Sequence, residues 1–276
     1  MANRFWVGGT GTWNAANTAN WAATTGGAGG QSVPVAADVV TFDASSGGGV
    51  VTVNTNFNIT SLTIGAFNGT LDFSANNNSP TMGSFSGTGT GTRTLNMGSG
   101  TWTISGAGGP WNISTSTNMT LNAQQSRILL TNTGGLNITF NGGNLTYYIV
   151  EYSRVGGGNL TISGSNTFAN FIDNTINTAH SILFPSGATN NFYRFNVRGS
   201  AGALITLSRS STVGAQLVKL GQGTVCNCDY ITLSTNQVQV NPANTWYRGA
   251  NGTGTSTGWG NSPTSSQSLG GVGGVG

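Results

Sequence analysis

Short apolar alternations recur along the chain, and in its second half they recur with a fixed step. Asn137-Ile138-Thr139-Phe140, Asn159-Leu160-Thr161-Ile162 and Ser181-Ile182-Leu183-Phe184 can be laid over one another, and Leu204-Ile205-Thr206-Leu207 follows. Their equivalent apolar residues, Ile138, Leu160, Ile182 and Ile205, lie 22 or 23 residues apart. A second series, Tyr147, Phe171, Phe195 and Val218, runs between them at steps of 23 or 24. Alternation of apolar with Thr or Asn is the signature of a half-buried strand. Two interleaved series with one period mean that the chain returns to the same place on every lap. A period near 22 is too short for a domain and suits one coil of a β-solenoid. The expected fold is therefore all-β: a β-solenoid, read as a right-handed parallel β-helix with capped ends.

Punctuation fits that reading. Gly134-Gly135, Asn141-Gly142-Gly143 and Gly156-Gly157-Gly158 fall between strands, where positive φ angles at corners are expected. Between residues 50 and 130 the strands are shorter: Val51–Val53, Leu62–Ile64, Leu71–Phe73, Thr94–Met97, Thr101–Ile104, Met119–Leu121 and Ile128–Leu130. The polar, Gly-rich insert Ser74–Gly91 reads as a loop leaving the stack. Asn58, Asn112, Asn118, Asn137, Asn144 and Asn159 each begin an Asn-x-Thr/Ser triplet. They read as strand starts at which Asn stacks from coil to coil; in a secreted eukaryotic chain they would be glycosylation acceptors.

Three segments follow. Residues 1–45 hold three of the seven tryptophans, Trp6, Trp13 and Trp21, in loop-like sequence. A bare solenoid end exposes unpaired edges and core, so this segment reads as an N-terminal cap, with a sugar-stacking platform as the alternative. Residues 46–245 form the solenoid. Residues 246–276 form a second cap, with Trp246 and Trp259, and a Gly-rich tail.

Composition narrows the function. Only 5% of residues are charged, against roughly a quarter in ordinary domains, while 36% are apolar, enough for a core. The net charge of +3 is spread from Arg4 to Arg248 without a run. Nucleic-acid binding, which wants clustered cations, is disfavoured. No stretch resembles a membrane span or a secretion signal, so synthesis in a cytoplasm is expected. Cys226 and Cys228, at i and i+2, should both enter the core rather than bind metal, since His180 is the only histidine and lies on another coil. No cofactor is called for by any motif.

Glycoside hydrolysis would need two carboxylates across a groove. The six are Asp38, Asp43, Asp72, Glu151, Asp173 and Asp229. Only Glu151 and Asp173, 22 residues apart, could sit on neighbouring coils as a pair. The plain alternative for Glu151 is an ion pair or rim contact with Arg154. One histidine is too little for a nucleophile and its base. No catalytic, cofactor or metal residue is assigned. Arg194, Arg198 and Arg209 are the basic residues that a charge-driven partner would use.

The opening Trp6-Val-Gly-Gly-Thr-Gly-Thr-Trp13-Asn, with Trp21 and then Val33-Pro34 and Ala37-Asp38-Val39-Val40-Thr41-Phe42-Asp43, resembles that of bacteriophage β-helical virion proteins. A related opening occurs in adhesin-like passenger domains of bacteria. Leu145–Tyr148, Asn159–Phe168, Gly199–Leu207 and Thr245–Asn251 are similar to the same phage group, so the resemblance spans both ends and the second half. It implies a non-enzymatic structural protein on the outside of a phage particle, trimeric because such stacks bundle side by side. A tail fibre or spike that touches host-surface glycan comes first, and a capsid decoration protein is the alternative. A glycan-degrading spike enzyme ranks lower, given the scarcity of carboxylates.

Overall fold

The computed structural model describes residues 1–131, 133–221 and 226–262. Among them the fold is a parallel β-solenoid of about nine coils. Its only helical element there is a 3-10 turn, Ala44–Ser46, capped by Asp43. Strands on successive coils pair in parallel and in register, so each residue sits on its equivalent about 4.8 Å away.

In the middle of the stack each coil carries three strand segments. One series runs Ile138–Asn141, Leu160–Ser163, His180–Phe184, Ile205–Arg209, Ile231–Leu233. A second runs Arg127–Leu130, Ile149–Tyr152, Asn170–Asp173, Arg194–Val197. The third comprises the first residues of the long strands Thr146–Tyr152, Thr167–Asp173 and Thr189–Val197, then Ala215–Lys219 and Val238–Asn241. The long strands bend at a corner where two or more successive side chains turn outward, so Phe168 and Phe171 are both buried three residues apart.

The expected steps hold in part. Ile138, Leu160 and Ile182 do stack. Ile182 then meets Leu207, and Ile205 meets His180. In the second series Phe171 meets Phe195, but Tyr147 meets Phe168 and Val218 meets Asn191. Coil length varies with the turns between strands, whereas the apolar period counts only the nearest match.

Ser74–Gly91 does not leave the stack as a loop. Thr81–Ser86 is a full strand, paired to Asn58–Thr63 on one side, with Met82 and Phe85 in the core. Its apolar residues are three apart because it too rounds a corner, and that spacing hides it from a period-two reading. The turn after it is pinned by Arg93, whose buried guanidinium donates to the carbonyls of Gly87 (2.8 Å), Gly91 (2.7 Å), Thr117 (2.9 Å) and Thr115 (3.0 Å). Burial lowers its pKa from the usual arginine value.

The glycine clusters serve close approach more than positive φ. Gly143 takes φ +65° beside Asn144 at +61°. A Cβ on Gly158, by contrast, would lie 2.2 Å from the Leu136 carbonyl oxygen of the coil below. The asparagine expectation is met at several positions. Asn137 Oδ1 accepts from Asn159 N at 2.9 Å, and Asn159 Oδ1 from Ser181 N at 2.8 Å. Outside the expected set, Asn122 bonds its equivalent Asn96 at 2.7 Å, and Asn196, level with Ile172, reaches diagonally to Asn170 at 2.9 Å.

Inside, aromatic rings continue along the stack: Phe168 on Phe192 at 5.2 Å, Phe171 on Phe195 at 5.6 Å, Trp111 on Phe140 at 6.0 Å. Trp6, Trp13 and Trp21 are buried against one another and Phe42, which is the core use of these rings rather than an open sugar platform. Residues 3–6 and 11–13 also continue two of the sheets, pairing with Val39–Thr41 and Val50–Val53. At the far end Trp246 packs on Phe195 and Trp259. The Gly-Val tail lies outside the described residues.

Replacing Arg93 by Lys should destabilise the protein by about 3 kcal/mol, because a lone ammonium cannot reproduce the fork and leaves buried carbonyls unpaired. Denaturant midpoints of the two proteins check this; Arg93→Ala should cost at least as much.

Candidate functional site

The six carboxylates are all engaged in local structure. Asp38 accepts from the backbone of Ala2 and Val35, Asp43 from Ser45, and Asp72 from Ser74. Asp229 accepts from the backbone of Tyr230 and Asn251, with Arg198 at 3.6 Å. Glu151 and Asp173 lie on neighbouring coils as expected, but they do not form a pair. Glu151 is level with Ile172, and Asp173 with Tyr152. An offset of one residue sends the two carboxylates to opposite faces of the sheet. Glu151 points outward to Arg127, at 2.7 Å, and not to Arg154. Asp173 points inward and is fully buried.

Asp173 belongs to a buried polar cluster that joins the loops of three coils. Its Oδ2 lies 2.7 Å from His180 Nε2, and its Oδ1 accepts from Thr175 N at 3.1 Å. His180 Nδ1 is 3.0 Å from the Thr178 carbonyl oxygen. A carbonyl can only accept, so Nδ1 carries hydrogen. Nε2 faces Asp173 Oδ2, which favours the protonated form of the ring. Burial alone would lower its pKa, but the hydrogen bond and charge of Asp173, with the Thr178 carbonyl, outweigh burial and Arg154 and raise it. Arg154 turns into the same cluster. It donates to Tyr152 Oη at 2.6 Å and to the Gly134 carbonyl, while Tyr152 donates to the Gly158 carbonyl. Burial pushes the Tyr152 hydroxyl up to about 12 despite Arg154.

Chemically, this cluster holds loops together. Neither nitrogen of His180 is left to activate a nucleophile, since one is committed to a carbonyl and the other to Asp173. The cysteines are likewise inert. Both are buried free thiols, Cys226 pushed up to about 12 by burial and Cys228 also raised, so both stay protonated. Among the described residues no three His, Cys, Asp or Glu side chains come together as a metal site. Arg194 lies on strand Thr189–Val197, Arg198 just beyond it, and Arg209 ends the next strand, so they do not share one strand face.

Several surface clefts lie among the described residues, and two of them are close to 500 Å³. One, of about 480 Å³, is lined by Asn174, Asn196, Arg198, Asp229 and Gly249. Its cation and anion lie beside each other, which leaves little net charge in it. The other, of about 500 Å³, opens beside Tyr148. Comparison with protein-family models, with curated proteins and with solved structures returned no match for the chain.

The raised histidine pKa fixes a pH dependence. Protonation is favoured in the folded state, so the pair's contribution is complete below the unfolded histidine value near 6.5. It is lost as pH rises through the raised folded value. Denaturation midpoints should therefore fall on going above neutral pH, and Asp173→Asn should remove that fall and cost about 2 kcal/mol at pH 6, because without the carboxylate burial keeps the ring neutral and the charge-assisted bond is lost.

Proposed function

We propose that this chain is a non-enzymatic structural protein displayed on the outside of a bacteriophage particle, where it serves as a host-surface adhesin of the tail-fibre or spike type. The observation that carries the reading is the outer surface: in-register pairs of Asn, Thr and Ser on neighbouring coils, with carboxylates committed to structural bonds. Such a surface offers repeated hydrogen-bonding groups and almost no field. It suits contacts made by shape and hydroxyl or amide recognition, multiplied by copy number.

Side-by-side assembly into a homotrimer is part of the proposal. Leu136, Val155 and Ile176 are exposed apolar residues in the corresponding loops of three successive coils, though Leu136 is level with Gly158 rather than with Val155. Association along that side of the stack would cover them. The same lattice-like surface would serve a capsid decoration protein, and labelled antibody against the chain on imaged particles separates head from tail.

Two outcomes are expected. Sedimentation should give a trimer that dissociates when Leu136, Val155 and Ile176 are together replaced by Ser; an unchanged trimer would move the interface elsewhere. Binding of the purified protein to host cells should change less than threefold between 50 and 300 mM salt, at roughly constant affinity, because few charges are available to screen. A steep fall with salt would point to Arg194, Arg198 and Arg209 instead.

A further inference from the structure

The cleft beside Tyr148 exists because one sheet stops. The strands Gly11–Trp13, Val50–Val53, Thr70–Asp72, Arg93–Asn96 and Met119–Asn122 form a five-stranded sheet, of which Met119–Asn122 is the terminal strand. The coil above it places only Thr146 and Tyr147 before its corner, so the wall steps back. Leu121, Asn122 and Gln124 line the ledge so formed, with Asn96 below and Thr146, Tyr148 and Ala169 above.

Register then adds a second aromatic. Tyr147, Phe168 and Phe192 are level, and so are Ile149, Asn170 and Arg194. Tyr148, Ala169 and Tyr193 therefore occupy one corner position on three consecutive coils. Tyr148 is 38% and Tyr193 50% exposed, and their backbone positions lie about 10 Å apart at ~4.8 Å per coil, with the small Ala169 between them. That separation is roughly the length of two pyranose rings. The cleft is lined by the amides Asn96, Asn122 and Gln124, by Thr146, and by Leu121, Ala123 and Ala169, with no charged side chain; Arg194 and Lys219 flank Tyr193, and Glu151, on the adjacent strand segment, is held by Arg127.

We propose that this ledge is a binding site for an extended oligosaccharide of uncharged sugars, a reading that rests on the adhesin function above and gives it a location. Alternate sugar rings lie on Tyr148 and Tyr193, their C–H faces against the negative faces of the phenols. Asn122 and Gln124 bond hydroxyls along the ledge, and Arg194 bonds a ring substituent beyond Tyr193. A peptide strand added to the open edge of Met119–Asn122 would be the competing use of the ledge. It would leave Tyr193, two coils away, without a role.

The test is calorimetric and NMR titration of the full-length protein with chitohexaose, cellohexaose, maltohexaose and dextran oligomers. A hexagalacturonate and a Val/Thr-alternating heptapeptide serve as comparison probes. At least one neutral oligosaccharide should bind. Tyr148→Ala and Tyr193→Ala should each weaken it about tenfold or more, while Tyr148→Phe, which keeps the ring, should stay within about threefold. Both tyrosines are exposed, so equal thermal midpoints should accompany these losses. The proposal is overturned if no neutral oligosaccharide binds, if only the uronate or the peptide does, or if the alanine variants bind as well as wild type. Particles carrying the double alanine variant separate the two levels of the argument. Normal adsorption to host cells would remove the ledge as the site and leave the adhesin function; absence of the chain from purified particles would remove the function itself.

Discussion

In-register parallel stacking is the constraint from which the rest of this protein follows. Every outward position meets its own equivalent about 4.8 Å away on the next coil. Two like charges at that spacing repel along the whole stack, whereas two amides or two hydroxyls can bond each other. The chain answers with Asn on Asn at 96 and 122, Thr on Thr at 232 and 253, and a charged fraction of only 5%. Inward, the same rule lets planar rings repeat, and phenylalanines stack on phenylalanines through the core.

Charges remain where they can be satisfied by something other than a copy of themselves. Arg93 is wrapped by carbonyls, Glu151 meets Arg127 across one coil, and Asp173 meets His180 inside the wall. Each is a fastening between loops or coils. These acid and base groups are thus engaged in architecture, and much of the outer surface is made of amides and hydroxyls.

How much of this could be read from the chain depends on which residue is considered. Ile138, Leu160 and Ile182 gave the coil directly, because their turns happen to have equal length. The step to Leu207 was hidden, since Ile205 two residues earlier satisfies the same period while stacking on His180. The strand Thr81–Ser86 was hidden by its corner: Met82 and Phe85 are three apart, and alternation cannot see a bend. For the polar cluster a signal was present. Asp173 follows the core residue Phe171 by two, which places it on the inner face. A buried carboxylate needs a partner, and His180 is the nearest titratable group along the chain after it. What could not be read is the one-residue offset that turns Glu151 away, because that depends on the register of the coil pair.

The most direct test of this account is to build the ladder that the protein avoids. Thr139 and Thr161 are half-exposed and face each other on adjacent coils. Thr139→Lys and Thr161→Lys, made singly and together, form a double-mutant cycle in which the coupling isolates their interaction. In-register stacking predicts a repulsive coupling of about 1 kcal/mol at low salt, shrinking as salt is raised, and its replacement by an attraction in the Lys–Glu combination. Coupling indistinguishable from zero in both combinations would mean that these positions do not face each other across a coil, and would contradict the account.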